Sequence, residues 1–420
     1  MIYPTPLILL LTLVLPPLIF VAFTTSSMTV GLLISALAWA LFGLATGRQP
    51  YYLQKSDAGR LGWLCAAILL LALHAAISHF QIGSVDFGRF SVSAAILAVV
   101  LIGAHFAARK LARLPDADLI RCANVALVTL TVLGLAAALG VPPVGPQASV
   151  KAVVVFSEPS HFGLAYLPVL LFRVSVARRG QQVALIAMAF LLAIVLQSLT
   201  MVVGLMIVAG LMLRARFLIP MLAVVIAGLA LVAVDLTYYS SRLVFSADSD
   251  NVSTLVFMQG WENAILNFRE THGLGVGFQQ FGIAGSTGEV ADRIAEILGK
   301  NISLLDGGST ATKLTGEFGV FGLLTIVAFL VALYRAARFF RQSQLRPPAF
   351  RDPRRLFFHS FVVAYTIELF VRGAGYFSPG GFFLLVALMS LAARPTRTVA
   401  AGATNTIASD ERLGATSLPS

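Results

Sequence analysis

The run "VALIAMAFLLAIVLQSLTMVVGLMIVAGLML", residues 183–213, decides how this chain is folded. As one helix rising 1.5 Å per residue, its roughly 31 residues reach about 46 Å, against a hydrocarbon core of about 30 Å. Gln197, Ser198 and Thr200 interrupt it in the middle. Two short helices meeting at that polar break are expected, in place of one long tilted helix, and the choice sets the side on which every later segment lies.

Charge supports the reversal. With it, Arg48/Lys55/Arg60, Arg109/Lys110/Arg113, Arg173/Arg178/Arg179, Arg214/Arg216 and the basic segment from Arg335 to Arg355 all share one face. The short loops of the opposite face carry only Arg89, Lys151 and Arg372. An excess of Lys and Arg marks the cytoplasmic side of a membrane protein. The net charge of +11 then orients the chain and meets anionic membrane lipid, so no nucleic acid partner is implied.

The rest of the sequence reads the same way. It is 58% hydrophobic and 12% charged, with a mean hydropathy of +0.87. Repeated apolar runs of about 20 residues predict an all-α polytopic integral membrane protein, because lipid cannot satisfy unpaired backbone groups. About twelve transmembrane helices are expected, near 6–23, 28–46, 61–80, 91–108, 120–141, 159–174, 182–197, 199–213, 217–236, 318–337, 356–372 and 376–393. Residues 1–236 then carry the first nine spans, 237–317 form one large outer loop, 318–393 carry the last three spans, and 394–420 are a disordered cytoplasmic tail. The first run lacks a basic leader and a small-residue cleavage site, and reads as a retained span. Cys65 and Cys122 read as small hydrophobes.

Polar residues gather at a few places along the outer side. Ser157-Glu158-Pro159-Ser160-His161 opens the sixth span, where Pro159 suits a first helical turn and Ser157 or Glu158 suits a cap. The other reading is a reactive carboxylate facing an outer cavity. Glu368 and Arg372, four residues apart, share a helix face, which predicts an ion pair inside the bundle or a functional site. Arg242 begins the large loop, with Asp235 as its expected partner. "THGLGVGFQQFG", residues 271–282, places three glycines at alternate positions, a pattern for close backbone approach and positive φ rather than for nucleotide binding. His74 and His79 are expected to make helix–helix hydrogen bonds. No group of His, Cys and carboxylates has metal-ligand spacing, so no metal and no cofactor are expected.

Several of these segments occur in the same order in a known family. "FSEPSHFG" at a mid-chain helix start, "QSLT" in the break, "SRLVFS", "GWENAILNF" and "HGLGVGFQQFG" in one large loop, and "TKLTGEFGVFGLL" leading into the next helix resemble the bacterial O-antigen polymerase and ligase superfamily. The likeness runs from about Phe156 to Leu324. It implies a GT-C-like glycosyltransferase of the bacterial inner membrane whose site faces the periplasm and takes undecaprenyl-pyrophosphate-linked oligosaccharides. A polymerase moves the growing glycan onto a new lipid-linked repeat unit, with a chain-length regulator as a possible partner, whereas a ligase moves it onto lipid A core. The ligase branch carries a His shortly before the Glu-x-Gly motif. Here that place reads "LLDGGSTATKLTGE", which favours the polymerase. A flippase for lipid-linked sugars is the alternative from another class.

The resemblance also implies roles. The first candidate base is Glu158 and the second His272, with inversion at the anomeric carbon. Arg242 and Arg372 would stabilise the leaving diphosphate, since guanidinium forks meet phosphate oxygens bidentately. His161, Ser160, Lys313, Glu317 and Glu368 are the further substrate-binding candidates.

Overall fold

The computed structural model describes residues 4–23, 27–46, 55–83, 85–145, 151–213 and 251–392, with positions 223, 226 and 249. The helices are α1 (Pro4–Ala22), α2 (Thr29–Ala45), α3 (Lys55–Ile82), α4 (Phe87–Arg113), α5 (Asp116–Ala138), α6 (Pro159–Val176), α7 (Arg179–Val195), α8 (Leu199–Met212), α9 (Val252–Glu270), α10 (Glu289–Leu298), α11 (Thr310–Leu345), α12 (Pro353–Phe370) and α13 (Pro379–Ala392). No strand is present among the described residues. Five helices, α1, α4, α5, α11 and the Cys65–Ile82 part of α3, are long and apolar enough to cross a membrane. Leu69, Leu70 and Phe80 on α3, Leu41 on α2 and Leu324 and Val327 on α11 are exposed. A sheath of that kind belongs in lipid, and the chain is an all-helical membrane-embedded protein. Apart from positions 223 and 226, the expected ninth span, 217–236, lies outside the described residues, as does the tail.

The run 183–213 is two helices, as its polar break predicts. Ser198 caps α8, its side chain accepting from the Met201 N–H, and its hydroxyl donates to the Pro159 carbonyl at 3.3 Å. Gly163 stands against Met201 and Gly204 against Leu167, so α8 runs in the same direction as α6 and the chain reverses at the break. Glycine at these two contacts lets the helices approach closely. α6 is the central helix, buried along most of its length and packed by α5, α8 and α12.

The helix that carries the expected tenth span begins ahead of it. α11 starts at Thr310, not at 318, because Ser309 caps it, accepting from the Thr312 N–H. Residue 318 instead adjoins a break, for Gly319 has φ 54 and ψ −124 inside the helix. The break frees backbone groups that an apolar surrounding cannot satisfy. The glycine-rich loop satisfies them. The Val320 N–H donates to the Gly273 carbonyl at 2.8 Å, and the Val276 and Gly277 N–H groups donate to the Gly316 and Glu317 carbonyls at 3.0 and 2.9 Å. A Cβ on Gly275 would lie 2.4 Å from the Glu317 carbonyl oxygen, which explains the alternate glycines. α3 leans on the same loop. His74 Nε2 bonds the Leu274 carbonyl at 2.9 Å and the Ser78 hydroxyl donates to the Gly275 carbonyl at 3.1 Å. His74 therefore serves a helix–loop contact rather than a helix–helix one, and His79 packs edge-on against Phe87.

A side chain at Gly319 would meet the Gly273 carbonyl oxygen at 1.9 Å in a backbone region that only glycine enters freely. Gly319→Ala is expected to cost on the order of 1–3 kcal/mol, read as a lower melting temperature in detergent.

Candidate functional site

One end of the bundle collects the N-termini of α2, α4, α6, α11 and α13 and the C-termini of α1 and α12 around two contiguous cavities. The smaller, about 200 Å³, is lined by Phe20, Ser157, Glu158, His161, Asp306 and Arg372 among others. The larger, about 530 Å³, is lined by Arg89, Ser93, Gln279, Asp306, Lys313 and Tyr376 among others. Ser27, Ser303, Asp306 and Ala374 border both.

In the smaller cavity Pro159 starts α6 and leaves Glu158 at the N-cap, yet the Glu158 side chain makes no capping bond. It turns instead to Arg372, whose Nη2 donates to Oε1 at 3.0 Å and Oε2 at 3.1 Å, and the Ser160 hydroxyl donates to Oε2 at 2.8 Å. The capping reading gives way to an ion pair joining two helix ends 214 residues apart. Arg372 is free to make it because α12 ends at Phe370, and the following backbone docks when the Gly373 N–H donates to the Gly308 carbonyl at 2.9 Å. The expected Glu368–Arg372 pair is not formed. Glu368 is buried and accepts from the Ser378 hydroxyl at the start of α13, while Arg372 lies past the last helical turn and points elsewhere. His161, one turn into α6, has its Nδ1 2.8 Å from the Ser157 hydroxyl.

Burial alone would push the Glu158 carboxyl up, but Arg372, His161 and the Ser160 hydroxyl outweigh it and hold the carboxyl at about 2. This reverses the raised value that a buried general base requires. Glu158 stays ionised and committed on both oxygens.

The larger cavity is built by the glycine-rich loop. Gln279 sits at φ 61, a conformation rarely adopted by a non-glycine residue, and lends an oxygen to each of two cations. Its backbone carbonyl accepts from Arg89 Nε at 2.9 Å, and its side-chain carbonyl accepts from Lys313 Nζ at 3.3 Å. Lys313 is buried, also donates to the Leu305 carbonyl at 2.7 Å, and lies 3.9 Å from Glu317 Oε1, which accepts from the Phe281 N–H. Glu317 therefore sits beneath the cavity wall as the Lys313 counter-charge. Arg89 is placed by the cap of α4, where the Asp86 carboxylate accepts its N–H, and Gln280 clasps the Asp86 backbone from both sides. The terminal nitrogens of Arg89 have no protein partner among the described residues.

Asp306 occupies the seam. Its turn runs from Ser303 at φ 55 to Gly307 and Gly308, both at positive φ. The turn is clamped from behind, for the Thr312 hydroxyl donates to the Gly307 carbonyl at 2.5 Å, and a Cβ on Gly260 would lie 1.9 Å from that carbonyl oxygen. The Asp306 side chain is exposed, and its carboxylate has no hydrogen bond or ion pair among the described residues.

The structure thus brings together Glu158, Ser160, His161 and Arg372 at one cavity and Lys313 and Glu317 at the next. His272, at φ 50 past the end of α9, is exposed and lines neither cavity. Arg242 and Asp235 lie outside the described residues. Two residues were not chosen from the sequence. Arg89 was visible as a cation on the face that should lack them, and Asp306 as the residue standing where a His is expected. No protein-family model, no curated protein and no solved structure matches the chain.

A carboxyl held below its ordinary 4.5 stabilises the fold in full above that value and loses this as pH falls toward 2. The melting temperature in detergent is therefore expected to drop between about pH 4.5 and 2 from this pair. In Arg372→Gln the Glu158-dependent drop is expected to shrink, since the folded-state carboxyl rises toward its unfolded value once the cation that depresses it is gone.

Proposed function

We propose that the protein is a membrane glycosyltransferase that polymerises lipid-linked oligosaccharide repeat units. It transfers the growing glycan from undecaprenyl pyrophosphate to a new lipid-linked unit at the periplasmic face of a bacterial inner membrane. The observation that carries this reading is the pair of contiguous cavities, each lined by charged side chains, at one end of an apolar bundle. A donor and an acceptor must be held at the same time, and each brings an anionic lipid headgroup that lies at this depth.

The charge arrangement fits a departing diphosphate. Glu158 and Arg372 neutralise each other across the smaller cavity, and Glu317 offsets Lys313. Arg89 is left with a guanidinium fork on the wall of the larger cavity, where Lys313 adds a second cation. Negative charge grows on the leaving group in the transition state, and cations fixed in a partly dehydrated site stabilise it without reorganisation. The apolar Val92 and Ile96 of α4 line the same cavity, a wall along which an isoprenoid chain can run from headgroup to lipid. In this reading Glu158–Arg372 braces the site where the sixth and eleventh spans meet.

Deleting the gene from the organism that carries it is expected to reduce its surface-glycan ladder to a single repeat unit, with the unmodified chain restoring the ladder. Arg89→Gln is expected to slow chain extension by about 10²- to 10³-fold, the size seen when one donor to a developing anion is removed. Glu158→Gln also collapses the ladder at normal protein levels. A deletion that leaves a normal ladder sinks the reading, and long polymer accumulating on its lipid carrier without reaching lipid A core marks a ligase instead.

A further inference from the structure

Glycan transfer needs a group that takes the proton of the acceptor hydroxyl, and the carboxylate picked out by sequence is engaged elsewhere. Both Glu158 oxygens accept from Arg372, and Oε2 from Ser160 as well. His161 has its Nδ1 engaged with Ser157 and lines the smaller cavity but not the larger. Glu317 is buried beneath Lys313, and Glu368 is buried against Ser378. Asp306 differs from all of them. It borders both cavities, its oxygens bind nothing in the protein among the described residues, and its turn is locked by Gly260, Gly307 and Thr312. The charged and titratable groups around it are Glu158, His161 and Arg372 on the smaller-cavity side and Arg89 and Lys313 on the larger.

We infer that Asp306 is the general base of the transfer, standing at the seam where an acceptor sugar in the smaller cavity meets a donor sugar whose diphosphate lies in the larger. The inference rests on the glycan-transfer reading above. The acceptor O–H gives its proton to the Asp306 carboxylate as its oxygen forms the new bond to the anomeric carbon. The bond from that carbon to the diphosphate oxygen breaks, and its electron pair leaves with the diphosphate beside Arg89 and Lys313. Asp306 and Arg89 thus serve opposite ends of one displacement, and Glu158 acts as a positioning residue through Arg372.

The test measures transfer in detergent by the purified full-length chain on lipid-linked repeat unit extracted from the deletion strain. D306N is expected to lower kcat by about 10²- to 10⁴-fold, the range for loss of a general base. KM should change by less than about threefold, because the uncharged amide keeps the cavity shape. The melting temperature should be unchanged, since the carboxylate bonds to nothing among the described residues. D306E should recover about tenfold or more over D306N, and the acidic limb of the kcat profile should be absent from D306N. Transfer by D306N within about threefold of the unmodified chain overturns the inference while leaving the polymerase reading standing. So does a loss that comes with a lowered melting temperature and is not relieved by D306E. Failure of the unmodified chain to extend the extracted repeat unit removes both the inference and the reading beneath it.

Discussion

The break in α11 at Gly319 is the constraint on which the rest of this structure depends. A helix in apolar surroundings has nowhere to send a freed carbonyl or N–H except to other protein backbone. The glycine-rich loop answers with three bonds, from Val320 to Gly273, from Val276 to Gly316 and from Gly277 to Glu317. Those bonds pull the loop into the side of the bundle, and the loop in turn carries Gln279, Gln280 and Phe281 into place. Gln279 orients Arg89 and Lys313, Gln280 fixes the start of α4, and the Phe281 N–H meets Glu317. One helical defect thereby organises a whole cavity wall.

The second organising feature is the long-range ion pair. Glu158 and Arg372 lie at the ends of separate helices, with side chains 39% and 23% exposed, and a half-buried pair of this kind adds modestly to stability. Its value is geometric. It ties the start of α6 to the end of α12 across the mouth of the smaller cavity and fixes the charge state of a carboxylate that would otherwise be free to titrate. Among the described residues charge is balanced locally in both cavities except at Arg89 and Asp306, and in the proposed transfer these two would serve the leaving diphosphate and the attacking hydroxyl.

Positive φ occurs at Gln197 and His272, away from the cavities, and also at the cavities themselves. Gln279 and Ser303 hold positive φ at the cavity walls, and Val154 does so just ahead of the Ser157–His161 segment, although a β-branched residue disfavours it most. Such conformations persist only where surrounding packing over-determines them, and they cluster where backbone must aim a group at a ligand.

Hydropathy and charge along the chain were enough for the helical membrane class and for the reversal at Gln197–Thr200. Those properties are local: span length, polar interruption and loop charge are each set within about 30 residues by the thickness and polarity of the bilayer. The alternate glycines also announced a close backbone approach, without naming the backbone approached. Which charges meet was not legible. Residues four apart suggested Glu368 with Arg372, but the helix ends between them, and Arg372 finds Glu158 instead. His272 looked central and is peripheral, whereas Asp306 and Arg89 looked incidental and line the cavities. The chain by itself determined that its helices are apolar enough for a membrane and that the run 183–213 reverses in its middle. Only the tertiary structure decided which ionisable groups are spent on one another and which stay free, because that depends on helix ends brought together from positions more than 200 residues apart.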